Sequence, residues 1–509
     1  MTWRLLIICL FVFGNGWSFC AQATRVVLSL QEISAEQLQN YRNSGLILRD
    51  LSPLPWIVVD LPETPPQNTR SARISSQTDV KGHFEGSALT VPAPENSNPH
   101  WQLQMMNVPS VWDKTQGEGI KIALLDSGVD ATHPDLAGSI LAEQGYNFGD
   151  NTANTADMTG HGTAMAGLIV AHCTRADGSC GVAPQAQVIP YKLNSQDQGS
   201  FYSADLAAAI LAAAASDAQI ISMSLSLDTY APWVEAALRY AASQGKILVA
   251  AAGNGGNASL NFPANLRFVV SVGAVDKQGK RLFRSNYGDD LLLTAPGTEL
   301  TTPLPGTGYS QIYSGTSAAT ALVSGFFALQ LRLQPQATPL ELVAQALNNS
   351  EDYAKEGYSP EYGFGIVKIP AADNSPLTLW FSGENKLVYQ AGENLLLNLS
   401  LKQQNEKQGD LYLRLNFPST QPALRPSLFK IWQNSDSVVK MSYNSPLASP
   451  YLFRSDLNLS LYGNPEALFG VGTVLPEMVE GAYELLGTLL FTENTRLQAR
   501  KIIWITKHR

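Results

Sequence analysis

The chain is short of cysteine, of histidine, of positive charge and of long apolar runs, and each shortage closes off a class of function. Only four cysteines and six histidines stand among 509 residues. Cys9 and Cys20 fall within the N-terminal leader, which leaves Cys173 and Cys180 as the remaining pair. Two ligands at that spacing do not make a zinc site, so no metal centre is expected, and no cofactor is expected to be required. In an oxidising compartment the pair instead predicts one disulfide, Cys173–Cys180. Basic residues number 34 against 43 acidic ones, for a net charge of -9. A nucleic-acid partner calls for a basic face, and this balance speaks against one. No run beyond the leader approaches the roughly 20 apolar residues of a membrane span. The longest candidate, Leu206 to Ala215, is closed off by Asp205 and Asp217. No internal repeat or low-complexity tract stands out.

What is present begins with an export signal. Arg4 precedes an apolar run from Leu5 to Phe13, and small residues follow to Ala21-Gln22-Ala23. A charged start, a short apolar core and an A-x-A ending predict a signal peptide over 1–23, hence a secreted protein, extracellular or periplasmic. Cys20 sits in a poor context for a lipid anchor. Residues 24–98 read as a small separate unit: a strand near Val26 to Leu30, a helix opened by the Ser34/Gln37 capping box, a strand at Trp56 to Val59. Its closing stretches, "PETPPQNTRSAR" and "VPAPENSNP", are rich in turn formers and exposed to cleavage. Residues 99–372 alternate apolar runs ("IKIALL", "QVIPYKL", "AQIISMSL", "KILVAAA", "FVVSVGA") with helical segments. That pattern predicts an α/β domain, a doubly wound and mainly parallel sheet covered on both faces, with its site at the carboxyl ends of the strands. Residues 373–509 show period-two alternation in "LLLNLSLK" and "DLYLRLNF", which predicts an all-β accessory domain of sandwich type.

Four short motifs carry chemistry. Asp126 ends the run "IKIALLD", a carboxylate where such sheets place their sites, although an Asp also caps turns. His161 opens "GHGTAMAGLIVAH", a segment apolar nearly all round and therefore buried. Asn254 ends "KILVAAAGN"; its amide could donate to an oxyanion or simply make a turn. Ser317 lies in "YSGTSAATALVSG", at a corner running into a helix, where serine is also an ordinary cap. A serine is a useful nucleophile only with a base beside it.

In the order Asp126, His161, Asn254, Ser317 these motifs closely resemble the subtilisin-like serine proteases, whose triad runs Asp, His, Ser along the chain. The resemblance covers residues 99–372 and includes "LLDSGVDATHPDL", "GVAP", "SMSL", "FRSNYG", "APG" and "YGFGIVKIPAA". It implies an endopeptidase acting on polypeptides, with Ser317 as nucleophile, His161 as base, Asp126 as its orienting partner and Asn254 in the oxyanion hole. It further implies that Ser224, Leu225 and Ser226 form a strand edge that pairs with the substrate backbone. It also implies that residues 24–98 are a propeptide, an intramolecular inhibitor removed by the enzyme itself near His100. A monomer is expected.

The chain departs from the family at Ala164, where His is usual, at Ala318 and Ala321-Leu322 behind the nucleophile, and at Ser226-Leu227. None of these replaces a catalytic group. The pocket before the scissile bond, between the strand preceding Asn254 and Leu225, has Gly255 and no carboxylate there, and is expected to favour apolar side chains. Many relatives hold calcium at the loop containing Cys173 and Cys180. Here Asp177 is that loop's only carboxylate, with Asp135 outside it, too few oxygens for a tight site. Structural calcium is thus possible but not indicated, and the crosslink is expected to tether the loop instead. Two rival readings are an inactive homologue kept for binding, which a fluorophosphonate probe would separate, and an adhesin acting through residues 373–509.

Overall fold

The computed structural model describes residues 24–61, 77–84, 99–195, 199–353 and 358–370, together with strands between residues 378 and 506. The signal-peptide reading of residues 1–23 and most of the exposed linker fall outside the described residues.

The N-terminal unit comprises β1 (Thr24–Ser29), α1 (Ala35–Asn43), β2 (Ile47–Asp50), β3 (Trp56–Leu61) and β4 (Gln77–Thr78). Its strands form an antiparallel sheet in the order β2-β3-β1-β4. The capping box starts α1: Ser34 Oγ accepts from the Gln37 N–H at 3.1 Å and Gln37 Oε1 accepts from the Ser34 N–H at 2.8 Å. Alternation along β1 and β3 divides the apolar residues between two faces. Val26, Leu28, Ile57 and Val59 pack with Tyr41 of α1, while Val27 and Val58 join the core of the larger domain. Next comes β5 (Lys81–Phe84), which belongs to another sheet.

The larger domain begins with α2 (Trp101–Met105) and β6 (Lys121–Asp126). There follow β7 (Tyr146–Asn147), α3 (His161–Val170), β8 (Gln187–Lys192), β9 (Ser200–Tyr202), α4 (Ser203–Ala215), β10 (Ile220–Met223) and β11 (Leu225–Leu227). The chain continues through α5 (Pro232–Ser243), β12 (Ile247–Ala251), β13 (Val270–Val275), β14 (Leu293–Pro296), β15 (Leu300–Pro303), β16 (Tyr309–Tyr313), α6 (Thr316–Leu333) and α7 (Pro339–Asn349). Seven strands make one sheet in the order β14-β13-β12-β10-β6-β8-β7, and every neighbouring pair is parallel. The chain winds out from β6 in both directions, so the carboxyl end of β6 lies at the point where strand order reverses, where such sheets open a crevice.

Both faces are covered, which is why these strands read as continuous apolar runs. Ile122 and Leu124 of β6 pack with α3 and α6; Ala123 and Leu125 point the other way, into α4 and α5. Ala164, Ala318 and Ala321 are fully buried in the α3–α6 side. The residues that depart from the family pattern there are therefore core packing, and small side chains let the two helices approach.

Charge ties the N-terminal unit to the larger domain. Arg25 grips the Asp205 carboxylate with two N–H groups at 3.1 and 2.7 Å, and Arg49 reaches the same carboxylate at 2.7 Å. Arg25 also contacts Asp79 at 2.7 Å. Asp79 in turn accepts from the Ala204 N–H at 2.9 Å and the Ser203 hydroxyl at 2.7 Å, completing the start of α4 as an acidic group does at a helix N-terminus.

In the C-terminal region the strands Gln408–Asn416, Gly481–Phe491 and Arg496–Thr506 pair antiparallel within one sheet. The sandwich expected for 373–509 depends on segments outside the described residues.

Candidate active site

Asp126 is the last residue of β6 and its side chain is buried. His161 is the first residue of α3. Gly162 follows because a side chain there would meet the Gly128 carbonyl at 2.0 Å, so the helix start can press directly on the end of β6. The N-cap residue Gly160 supplies no side chain. Asp157 does the capping instead, accepting from the Gly160 N–H at 3.0 Å and the Thr163 N–H at 2.9 Å. Ser127 donates to Asp157 at 2.9 Å and accepts from the Gly162 N–H at 2.9 Å. The residue after Asp126 is thereby tied to the helix that carries His161.

Ser317 lies in the first turn of the long buried helix α6. The three side chains form one hydrogen-bonded line: His161 Nδ1 to Asp126 Oδ1 is 2.6 Å and His161 Nε2 to Ser317 Oγ is 3.3 Å. Burial pushes the Asp126 carboxyl up from its ordinary value, while the His161 ring and the Ser127 N–H pull it down. With the short Nδ1–Asp126 contact fixing the ring, Nε2 faces the serine, the orientation a general base requires. Tyr313, fully buried, stands edge-on to the His161 ring at 6.1 Å.

Asn254 follows the end of β12. Its Oδ1 accepts from the Thr316 N–H at 3.0 Å. Asn254 lines a cleft of about 590 Å3 with Gly255, Asn257, Asn261, Phe283 and Arg284. Asn257, Asn261 and Arg284 bring a polar wall that the apolar expectation from sequence did not include.

Ser224 is fixed against the nucleophile: its hydroxyl donates to the Ser317 carbonyl at 3.1 Å, and its own carbonyl oxygen lies 3.2 Å from Ser317 Oγ. Leu225 and Ser226 belong to β11, and this edge is paired. β5 lies between β9 and β11, antiparallel to both. Phe84 stands opposite Leu225 and His83 opposite Ser226. His83 bonds Ser226 Oγ through Nε2 at 3.1 Å and meets Asp228 at 3.2 Å through Nδ1. The Phe84 ring stacks on His161 with centroids 5.4 Å apart.

The comparisons with known proteins agree with this geometry. The model of the subtilase family matches residues 117–365. Thermitase of Thermoactinomyces vulgaris is 33% identical over 259 residues, covering 51% of this chain and 90% of thermitase. The chain belongs to the subtilase family. Subtilisin Savinase of Lederbergia lenta is 32% identical, over 53% of this chain and 97% of its own. The thermophilic serine proteinase of Bacillus sp. strain AK1 is 39% identical over 43% of this chain, and the match spans 54% of that relative's length. The protein is thus a subtilisin-like serine endopeptidase.

In this subtilase the loop after α3 brings Cys173 and Cys180 to disulfide distance, with Cα atoms 4.3 Å apart. Asp135 is buried beneath it, and its carboxylate accepts from the Thr174 hydroxyl and from Tyr309 Oη, the latter at 2.7 Å. Among the described residues no group of three or more His, Cys, Asp or Glu is placed to hold a metal ion, and no helix is long and apolar enough to cross a membrane. Asp157 and Ser127 are site residues that sequence reasoning missed. The signal was present in "DMTGHG": an Asp shortly before a helix start is a capping residue.

Proposed function

We propose that this subtilase cleaves peptide bonds by acyl transfer through Ser317. The observation that carries the reading is the unbroken line from Asp126 through His161 to Ser317. His161 takes the Ser317 proton as Oγ attacks the peptide carbonyl, then gives it to the departing amine; water, activated by the same ring, releases the acyl-enzyme. Asp126 holds the imidazole tautomer and stabilises its charged form without taking the proton. Asn254 Nδ2 and the Ser317 backbone N–H, at the positive end of α6, bind the oxyanion. Ser224, Leu225 and Ser226 pair with the substrate main chain, so grip does not depend on reading many side chains.

Residues 24–98 act as propeptide. The support is β5, which lies along the same edge that a substrate would use, and the buried charge contacts of Arg25 and Arg49. Residues 1–23 direct export, a Cys173–Cys180 disulfide tethers the loop after α3, calcium is not required, and the enzyme works as a monomer with residues 373–509 as an accessory domain. Casein hydrolysis by purified protein tests the reaction: His161→Ala and Ser317→Ala should each lower turnover about 10⁶-fold, and the Ser317→Ala precursor should keep its N-terminal unit. A Ser317→Ala protein that matures alone would overturn self-cleavage.

A further inference from the structure

The side chains that the substrate edge admits can be read from β5, and this inference rests on the protease reading above. β5 runs antiparallel to β11, with Gly82 opposite Leu227, His83 opposite Ser226 and Phe84 opposite Leu225. On its other side Gly82 stands opposite Phe201 of β9. Alternation turns Gly82 and Phe84 toward the core and leaves Lys81 and His83 exposed. A substrate residue in the same register opposite Ser224, whose carbonyl oxygen is 3.2 Å from Ser317 Oγ, presents its own carbonyl to the nucleophile. Counting back from there, Phe84 marks the second residue before the scissile bond and Gly82 the fourth.

The fourth position has no room for a side chain. A Cβ on Gly82 would stand 2.5 Å from Leu227 Cδ2 and 2.6 and 2.7 Å from carbons of the Phe201 ring. Both neighbours belong to the larger domain, so the obstruction is the enzyme's own. Phe201 is 3% and Leu227 4% exposed, and both sit in the core on one side of the large sheet. The Leu227 backbone is held by its N–H bond to the Phe262 carbonyl at 2.9 Å. Forcing bulk into a filled core displaces its side chains and is unfavourable. The second position is the opposite case. The Phe84 ring meets two others, His161 at 5.4 Å and Phe201 at 5.3 Å between centroids, contacts that an aliphatic side chain reproduces only in part. The residue that closes the fourth position thus also makes a wall of the second.

We propose that this subtilase selects polypeptides with glycine at the fourth residue and an aromatic at the second residue before the scissile bond, and that Phe201 sets both preferences. Glycine is selected because Phe201 and Leu227 occupy the space beside its Cα. The aromatic is selected because Phe201 and the His161 ring give it two stacking partners. The third position points outward, as the side chain of His83 does at 49% exposure, and is left open. The recognised segment is therefore Gly-Xaa-aromatic, followed by the residue whose carbonyl is attacked.

Digestion of a mixed peptide library by the purified active protein, with the cut sites sequenced by mass spectrometry and casein hydrolysis run in parallel, tests the proposal. With sites aligned on the bond cut and corrected for library composition, glycine should exceed Val and Leu at the fourth position by about 10-fold or more. Phe, Tyr and Trp should exceed Leu at the second by about threefold. Phe201→Ala should admit Val and Leu at the fourth position and weaken the aromatic preference at the second, the joint change that a shared wall requires. Leu227→Ala, which opens the fourth position alone, should admit Ala and Val there and keep the aromatic at the second. The parent profile decides the preference even where a variant fails to fold. Casein cleaved while Val or Leu matches glycine at the fourth position overturns the specificity and leaves the protease standing. A folded Phe201→Ala protein with the parent's profile removes Phe201 from the role. Failure to cut either casein or the library overturns both readings.

Discussion

Arg25 is the residue through which the N-terminal unit can be loosened without touching the site. Its guanidinium, 17% exposed, spans two carboxylates whose side chains are 0% and 2% exposed, Asp79 and Asp205, and lies 4.5 Å from the Tyr202 ring centroid. Removing one partner of a buried ion pair costs about 3–5 kcal/mol, because a buried charge is left behind. The lower figure applies to Arg25→Ala. Asp205 keeps Arg49 at 2.7 Å, and Asp79 keeps the Ala204 N–H and the Ser203 hydroxyl. About 3 kcal/mol corresponds to roughly 10²-fold weaker retention of the cleaved unit. Arg25→Lys, a point charge without the fork, should lose about tenfold. The assay is peptidase activity recovered on diluting self-processed precursor, fitted for the inhibition constant of the unit that stays bound. Arg25→Ala protein inhibited within threefold of the parent would refute the view that this charge cluster holds the unit down.

Three further outcomes follow from the geometry. If its amide serves only the transition state, as proposed, Asn254→Leu should lower kcat about 10²- to 10³-fold with KM little changed; an equal loss in KM would make Asn254 a binding residue instead. Reductant should lower the thermal midpoint of Ser317→Ala protein, because closing the 173–180 loop contributes roughly 2.5 kcal/mol on the chain-entropy model, whereas EDTA should not. A large drop with EDTA, or two free thiols, would reverse that account. Truncation after Ala372 should retain cleavage of a short peptide; a folded truncation without peptidase activity would mean that the tail completes the site.

The parts of this molecule that were legible in sequence are those whose local pattern and tertiary role agree. Asp126, Asn254, His161 and Ser317 sit at the ends of buried strands or the starts of buried helices, and apolar runs mark those ends. β5 was not legible. "KGHF" has a glycine, two polar residues and one aromatic, and it is a strand only because the edges of β9 and β11 hold it. The same holds for Asn261 and Arg284: turns after β12 and β13 return them to the cleft, and nothing in their neighbours signals that. Asp157 caps from outside its helix, where a search for an N-cap side chain at Gly160 finds none.

Ser317 as the nucleophile of a working triad can be tested by covalent labelling. Purified protein treated with a fluorophosphonate and digested should carry one adduct by mass spectrometry, on the peptide containing Ser317, and both His161→Ala and Ser317→Ala should abolish it. An adduct on another residue, or labelling that survives in Ser317→Ala, would contradict the account.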